Sequence, residues 1–328
     1  MVLTSGSVYD RIRTTVQTTA SAGFYKLSFR AMSTECRVHF RSLSPAGARD
    51  FQNDLVRWVA GFEARYSRFI PESIISRINA AAGSSWVEID TETDRLFTLC
   101  QELYFFTCGT FDPTALPLIR LWNWKSDPAV VPEAAAVKAA MELVGWRKLQ
   151  RRPGAIFLPR AGMGLDLGGI GKEYAVDQVT QMALPRGIEN ILVDFGQDLR
   201  VHGQPPENGA WHIGLEDPKN PGKCWAGVAV TDHAVASSGD YLRGFTSQGR
   251  RYGHILDPRS GYPVDNGCRA VTVIAPSCTV AGILSTTAFI LGAQEGLKLI
   301  GSSYGAEGSI TTDDKRYETR AFSRYVAS

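Results

Sequence analysis

Helical and strand periodicities occur along the whole 328-residue chain, and together they predict an α+β fold. Amphipathic helical stripes and short alternating apolar runs are present in both halves. No internal repeat, low-complexity tract or linker separates them. A composition of 44% hydrophobic and 21% charged residues allows a substantial core. The expected organisation is a mobile N-terminal arm over residues 1–23 and a single domain over 24–328.

The elements follow in order. Residues 1–23 are rich in Ser and Thr and only weakly periodic, hence the expected arm or frayed helix. Residues 24–42 alternate, which predicts two strands joined around Met32, Ser33 and Thr34. Over 46–66, Phe51, Leu55, Trp58, Val59 and Phe62 recur at three-to-four spacing, as in a helix with a core-facing stripe. Leu96, Leu99, Leu103 and Phe106 do the same over 92–108, and residues 133–144 form an Ala-rich helix. Residues 164–177, GLDLGGIGKEYAVD, form a Gly-rich turn running into a helix over 172–184. Strand, turn and strand follow over 190–203. The segments WHIGLEDP, CWAGVAVTDHAVASSGD and RRYGHILDPRSGYPV alternate as strands between turns, and VTVIAP is a further strand. Residues 279–300 predict two helices broken at Gly292.

Composition narrows the function. With 35 basic and 33 acidic side chains and no basic block, the chain does not resemble a nucleic-acid binder. The five histidines show no zinc-ligand spacing. The six cysteines show no C-x-x-C spacing and read as reduced thiols. No apolar run has signal-peptide or membrane-spanning character, so the expected location is cytoplasmic, without membrane insertion.

The Gly-rich turn carries the first chemical signal. Asp166 precedes Gly168, Gly169 and Gly171, and Lys172 opens the helical run. Glycines allow close backbone approach to an anion, and a helix start adds its positive dipole end. That combination suits a phosphate or pyrophosphate. The alternative is a tight strand-to-helix turn capped by Asp166.

Seven segments then point the same way, in order along the chain: AMST (31–34), SRFIPESIISRIN (67–79), GTFDPT (109–114), LDLGGIGKEYAVD (165–177), SSGDYLR (237–243), HILDPRSGYPV (254–264) and VTVIAP with its helix. Together they resemble the ApbE family, the FAD:protein FMN transferases, over about residues 24–325. The resemblance implies a mixed sheet and helix fold with an FAD cleft between two lobes. It also implies transfer of the FMN half of FAD to a Thr or Ser hydroxyl of an acceptor protein, with release of AMP. Magnesium neutralises charge in such a transfer.

The resemblance assigns residues as follows. Asp166, Gly168, Gly169, Gly171 and Lys172 contact FAD, and the Gly169 carbonyl ligates magnesium. Thr110, Phe111 and Asp112 lie along the flavin and nucleotide, although Asp112 also suits a turn cap. Met32 lies against the flavin, and Phe69 stands where a tyrosine commonly covers the ring. His254 is the candidate general base, flanked by cofactor-contacting Gly253 and Ile255. Asp257 either orients His254 or shapes the D-P turn.

One position departs from the pattern. On the last helical segment the family carries an aspartate and, four residues on, a threonine, both magnesium ligands on one helix face. Here Thr286 is present, but Gly282 replaces the aspartate. Glu173 adds a carboxylate where glycine is common, without an assigned role. Three readings follow: a transferase with another acid such as Asp240 or Asp265 at the metal, an FAD binder without transfer, or an FAD pyrophosphatase. If Gly282 cripples the site, Gly282→Asp is expected to restore it.

Overall fold

The computed structural model describes residues 5–126, 129–206 and 209–327. The chain opens with α1 (Ser5–Arg13) and three strands, β1 (Gln17–Ser21), β2 (Phe24–Ala31) and β3 (Thr34–Arg41). Helices α2 (Pro45–Tyr66) and α3 (Ile74–Ala80) follow, then β4 (Val87–Glu88), α4 (Thr91–Phe106), α5 (Leu116–Leu121) and α6 (Ala134–Met141). Next come β5 (Gln150–Arg152), β6 (Ala155–Phe157), α7 (Gly171–Ala183), β7 (Ile191–Phe195), β8 (Asp198–His202), β9 (Trp211–Glu216) and β10 (Cys224–Val230). The last third holds β11 (Ala234–Gly239), β12 (Gly244–Ser247), β13 (Arg250–Gly253), β14 (Leu256–Asp257), β15 (Tyr262–Pro263) and β16 (Cys268–Ala275). It ends with α8 (Cys278–Leu291), α9 (Ala293–Ser302), β17 (Glu307–Thr312) and β18 (Arg316–Glu318).

A nine-stranded sheet in the order β1-β2-β3-β7-β8-β11-β16-β17-β18 forms the frame, and its paired strands are antiparallel. Alternation along the strands assigns the faces. Ala234 and Ala236 of β11, with Val271 and Val273 of β16, enter the main core beneath α2, α7 and α8. Val235 and Ile274 point the other way, where the β9–β10 ribbon covers them with Trp211, Leu215, Val228 and Val230. A satellite cluster joins Leu118, Trp122 and Val137 of the α5–α6 region to Phe245 and Tyr252 of the β12–β13 hairpin.

The N-terminal segment corrects the expectation of a mobile arm. Val8 and Ile12 of α1 are fully buried, and α1 packs along α2. Two apolar residues four apart suffice once a neighbouring helix receives them. β1 is solvent-exposed along its length and is held instead by backbone pairing to β2, from Gln17↔Ser28 to Ser21↔Phe24. A Ser- and Thr-rich strand without a buried face leaves no apolar periodicity to read. Residues 1–4 lie outside the described residues.

Candidate active site

The turn before α7 is held from three sides. The Asn79 side chain bonds both the Leu165 carbonyl, at 3.0 Å, and the Leu165 N–H, at 2.6 Å. The Asp166 N–H donates to the Pro113 carbonyl at 2.8 Å, tying the turn to the GTFDPT loop. Asp166 Oδ1 accepts the Gly168 N–H at 2.7 Å, and Oδ2 accepts from Arg68 Nε. Gly168, Gly169 and Gly171 do not adopt positive φ. The need for glycine at 168 is one of space: a Cβ there would stand 2.7 Å from Asp166 Oδ1. Gly168 and Gly169 are exposed, and no side chain caps the N-terminus of α7. Uncapped first-turn N–H groups beside exposed glycines can receive an anion.

The GTFDPT loop reaches α8. Thr110 Oγ1 bonds the Thr107 carbonyl at 3.0 Å and lies 3.2 Å from Thr287 Oγ1. Phe111 packs against Gly169. Asp112 displays the turn-cap reading of its sequence. Its Oδ1 accepts the Thr114 N–H and hydroxyl at 2.8 and 2.6 Å, and its Oδ2 accepts the Trp146 N–H at 3.1 Å. Burial raises its pKa, and these bonds oppose the rise. The carboxylate is engaged in holding its own loop.

Met32 and Ser33 occupy the β2–β3 turn with φ of 49° and 61°, the left-handed pair that a two-residue hairpin requires. The Met32 N–H donates to Glu63 Oε2 at 3.0 Å, and Arg11 of α1 pairs with Glu63 Oε1 at 2.7 Å. The first helix thus steadies the Met32 turn. Phe69 is 70% exposed, and the Arg68 guanidinium lies 4.1 Å from the centre of its ring.

His254 follows β13. Its Nδ1 is buried without a hydrogen-bond partner, and Trp124 stands edge-on 6.1 Å away, centre to centre. Burial, then the Arg243 charge, then Arg251 and Lys172, push its pKa down to about 4. The imidazole is therefore neutral at pH 7. Gly253 is packed so closely on Asp240 that a Cβ would meet Asp240 Cβ at 2.8 Å, while Ile255 enters the core. Of the two readings of Asp257, the structure displays the turn: its carboxylate accepts from the Arg259 N–H and guanidinium at 2.9 Å.

Helices α7 and α8 meet in a defined register. Asp177 accepts the Cys278 and Thr279 N–H groups at 2.9 Å each, and Arg200 pairs with it at 2.8 Å. Four residues back on α7 stands Glu173, and four residues on along α8 stands Gly282. These two meet: a Cβ at 282 would lie 2.5 Å from Glu173 Cγ. Lys172 Nζ bridges Glu173 Oε1 at 3.1 Å and Asp198 Oδ2 at 2.7 Å. Burial works against the Lys172 charge, but Glu173 and Asp198 outweigh it and push its pKa up. Burial raises the pKa of Asp198. Thr286, one turn beyond Gly282, shares a 2.8 Å hydrogen bond with Ser238 of the SSGDYLR segment. Asp265 pairs with Arg250 at 2.7 Å, and Asp240 lies between Arg251 and Arg269, at 3.8 and 3.7 Å. Both of these spare acids face arginines.

A model of the ApbE family matches residues 32–309. The chain belongs to the ApbE family. It is 30% identical to the FAD:protein FMN transferase of Treponema pallidum (strain Nichols), over 90% of this chain and 87% of that protein. It is 32% identical to an FAD:protein FMN transferase of Klebsiella pneumoniae (strain 342), over 69% and 70%. Among solved structures, the ApbE protein of Thermotoga maritima superposes with a TM-score of 0.84 at 29% identity, covering 93% of this chain and all of that one. The flavin transferase ApbE of Vibrio cholerae gives 0.82 at 26% identity, covering 94% and 99%. The expected α+β fold is that of the family.

The fold therefore gathers the Gly-rich turn, Thr110, Phe111, Lys172 and the Gly282–Thr286 turn of α8 around the start of α7. Arg68 and Asp198 escaped the sequence reading. Arg68 adjoins Phe69 in the SRF segment, which was its one available signal; Asp198 carries no spacing cue at all. Among the described residues no three His, Cys, Asp or Glu side chains form a metal cage. Magnesium does not need one, because it is usually held by one or two carboxylates together with substrate phosphates and water.

Proposed function

We propose that this chain transfers the FMN half of FAD to a Thr or Ser hydroxyl of an acceptor protein and releases AMP. The observation that carries the reading is the junction of exposed Gly168 and Gly169, an uncapped helix start and Lys172 within an ApbE-family chain. The names of its curated relatives support the same reaction. The acceptor oxygen attacks the flavin-side phosphorus, the bond from that phosphorus to the bridging oxygen breaks, and AMP leaves with that oxygen. The hydroxyl proton passes to His254, which is neutral at pH 7 and has an unpartnered Nδ1. Arg243, Arg251 and Lys172 depress its basicity, and an anionic pyrophosphate among these cations would offset them. Phe69 offers its exposed ring to the isoalloxazine, and Met32 in the β2–β3 turn is the second flavin contact of this reading. When bound, magnesium neutralises charge on the phosphates. The scattered cysteines support a cytoplasmic site of action.

The test is AMP release from FAD with and without an acceptor protein. Release only with acceptor is expected; release without it would make the chain a hydrolase, and no release would make it a binder. His254→Ala is expected to leave FAD affinity within a few-fold and to slow transfer by roughly 10²–10⁴.

A further inference from the structure

Resting on that reading, we infer that Glu173 of α7 supplies the magnesium-binding carboxylate that residue 282 of α8 lacks. The carboxylate has changed helices instead of disappearing.

The first support is space. A Cβ at 282 would stand 2.5 Å from Glu173 Cγ, 3.2 Å from Cδ and 3.3 Å from Oε1. The Glu173 side chain fills the volume in which a side chain at 282 would begin. A glutamate at 173 and an aspartate at 282 exclude one another in this arrangement.

The second support is register. Asp177 clamps the first N–H groups of α8 and so fixes which residues of the two helices face each other. Residue 173 lies one turn from that clamp on α7, and residue 282 lies one turn from it on α8. The Asp177 bonds therefore hold the backbones of residues 173 and 282 opposite each other.

The third support is polar accounting. Glu173 is 7% exposed, and its Oε2 is buried with no hydrogen-bond partner. A buried carboxylate oxygen without a partner is costly unless something else binds it. Its one cation, Lys172, is shared with Asp198, so two carboxylates face a single positive charge. The unpartnered Oε2 lies beside the α7 start and opposite the α8 turn that carries Thr286, a place that suits a hard cation brought in with a pyrophosphate. On this inference Gly282→Asp alone does not repair the site, because its Cβ would stand 2.5 Å from Glu173 Cγ.

The experiment is calorimetric FAD titration of the full chain in magnesium chloride and in EDTA, with melting temperatures recorded alongside. In the wild type magnesium should tighten FAD binding at least about fivefold, the lower end of ordinary ligand coupling. Glu173→Gln, nearly isosteric, should stay folded and lose most of the magnesium effect, read as the ratio of its FAD affinities in magnesium and in EDTA. Gly282→Asp should melt lower and gain nothing from magnesium. The double variant Glu173→Gly/Gly282→Asp should recover both stability and the magnesium effect, a non-additive pairing. A full magnesium effect in folded Glu173→Gln, a stable and magnesium-responsive Gly282→Asp, a folded double variant without the effect, or a wild type that binds FAD with no magnesium effect would each overturn the inference. Absence of FAD binding in both buffers would instead reject the flavin reading itself.

Discussion

The two ends of the α7–α8 contact treat a buried acid in opposite ways. Asp177 has both oxygens bonded, to two helix-start N–H groups and to Arg200. Glu173, one turn away and just as buried, bonds Lys172 through one oxygen and nothing through the other. A fully partnered carboxylate fixes one helix against the next. A half-partnered one holds negative charge ready for a ligand, and the clamp at Asp177 keeps it in place. His254, with its bare Nδ1, belongs with Glu173 in this contrast.

The largest effect is expected from Asp177→Ala. It removes the acceptor of the Cys278 and Thr279 N–H groups, leaves the Ser277 cap in place and leaves Arg200 unpaired, so unfolding free energy should fall by about 3–5 kcal/mol in denaturant titration. A loss under about 1 kcal/mol would mean that Asp177 is no anchor. The pH profile comes next. His254 has a folded pKa of about 4 against 6.5 for the free group, so the unfolded chain binds more protons between those values. Its contribution is complete above pH 6.5 and lost as pH falls towards 4, on the order of 2–3 kcal/mol. His254→Gln should flatten that part of the stability curve; an unchanged acid limb would contradict it. Gly282→Ala should cost about 1–3 kcal/mol through overpacking, and Glu173→Ala should relieve it. Additive losses in the pair would dissolve the contact. The smallest effect is Phe69→Ala, within about 0.5 kcal/mol on stability because the ring is exposed, but with weakened FAD binding.

Where chemistry and periodicity were local, they were legible in the sequence. The β2–β3 turn at Met32 and Ser33 and the break between α8 and α9, where Gly292 takes φ of 86°, follow from short stretches of residues. The ordered motifs identified the family across almost the whole chain. α1 escaped because two buried residues, Val8 and Ile12, carry its docking. β17 and β18 went unassigned because short strands at the end of a sheet need their neighbours to define them. The turn-cap reading of Asp112 was legible from the D-P pair, whereas its bond to the Trp146 N–H, 34 residues on, was not. Gly282 looked like a loss. Its meaning depends on Glu173, far away in sequence, and spacing within one helix cannot reveal a neighbour on another.

That pairing also constrains how such a chain can change over generations. With an acid at both 173 and 282 the two side chains collide, and with glycine at both the phosphate end of the site lacks its charge. The two workable arrangements are separated by intermediates that are either overcrowded or under-charged, so neither position can change freely alone. Comparison of one position at a time would record two unrelated anomalies, a glycine without its acid and an acid without a purpose. Considered together, the two positions form one contact, so a change at either alters what the other can hold.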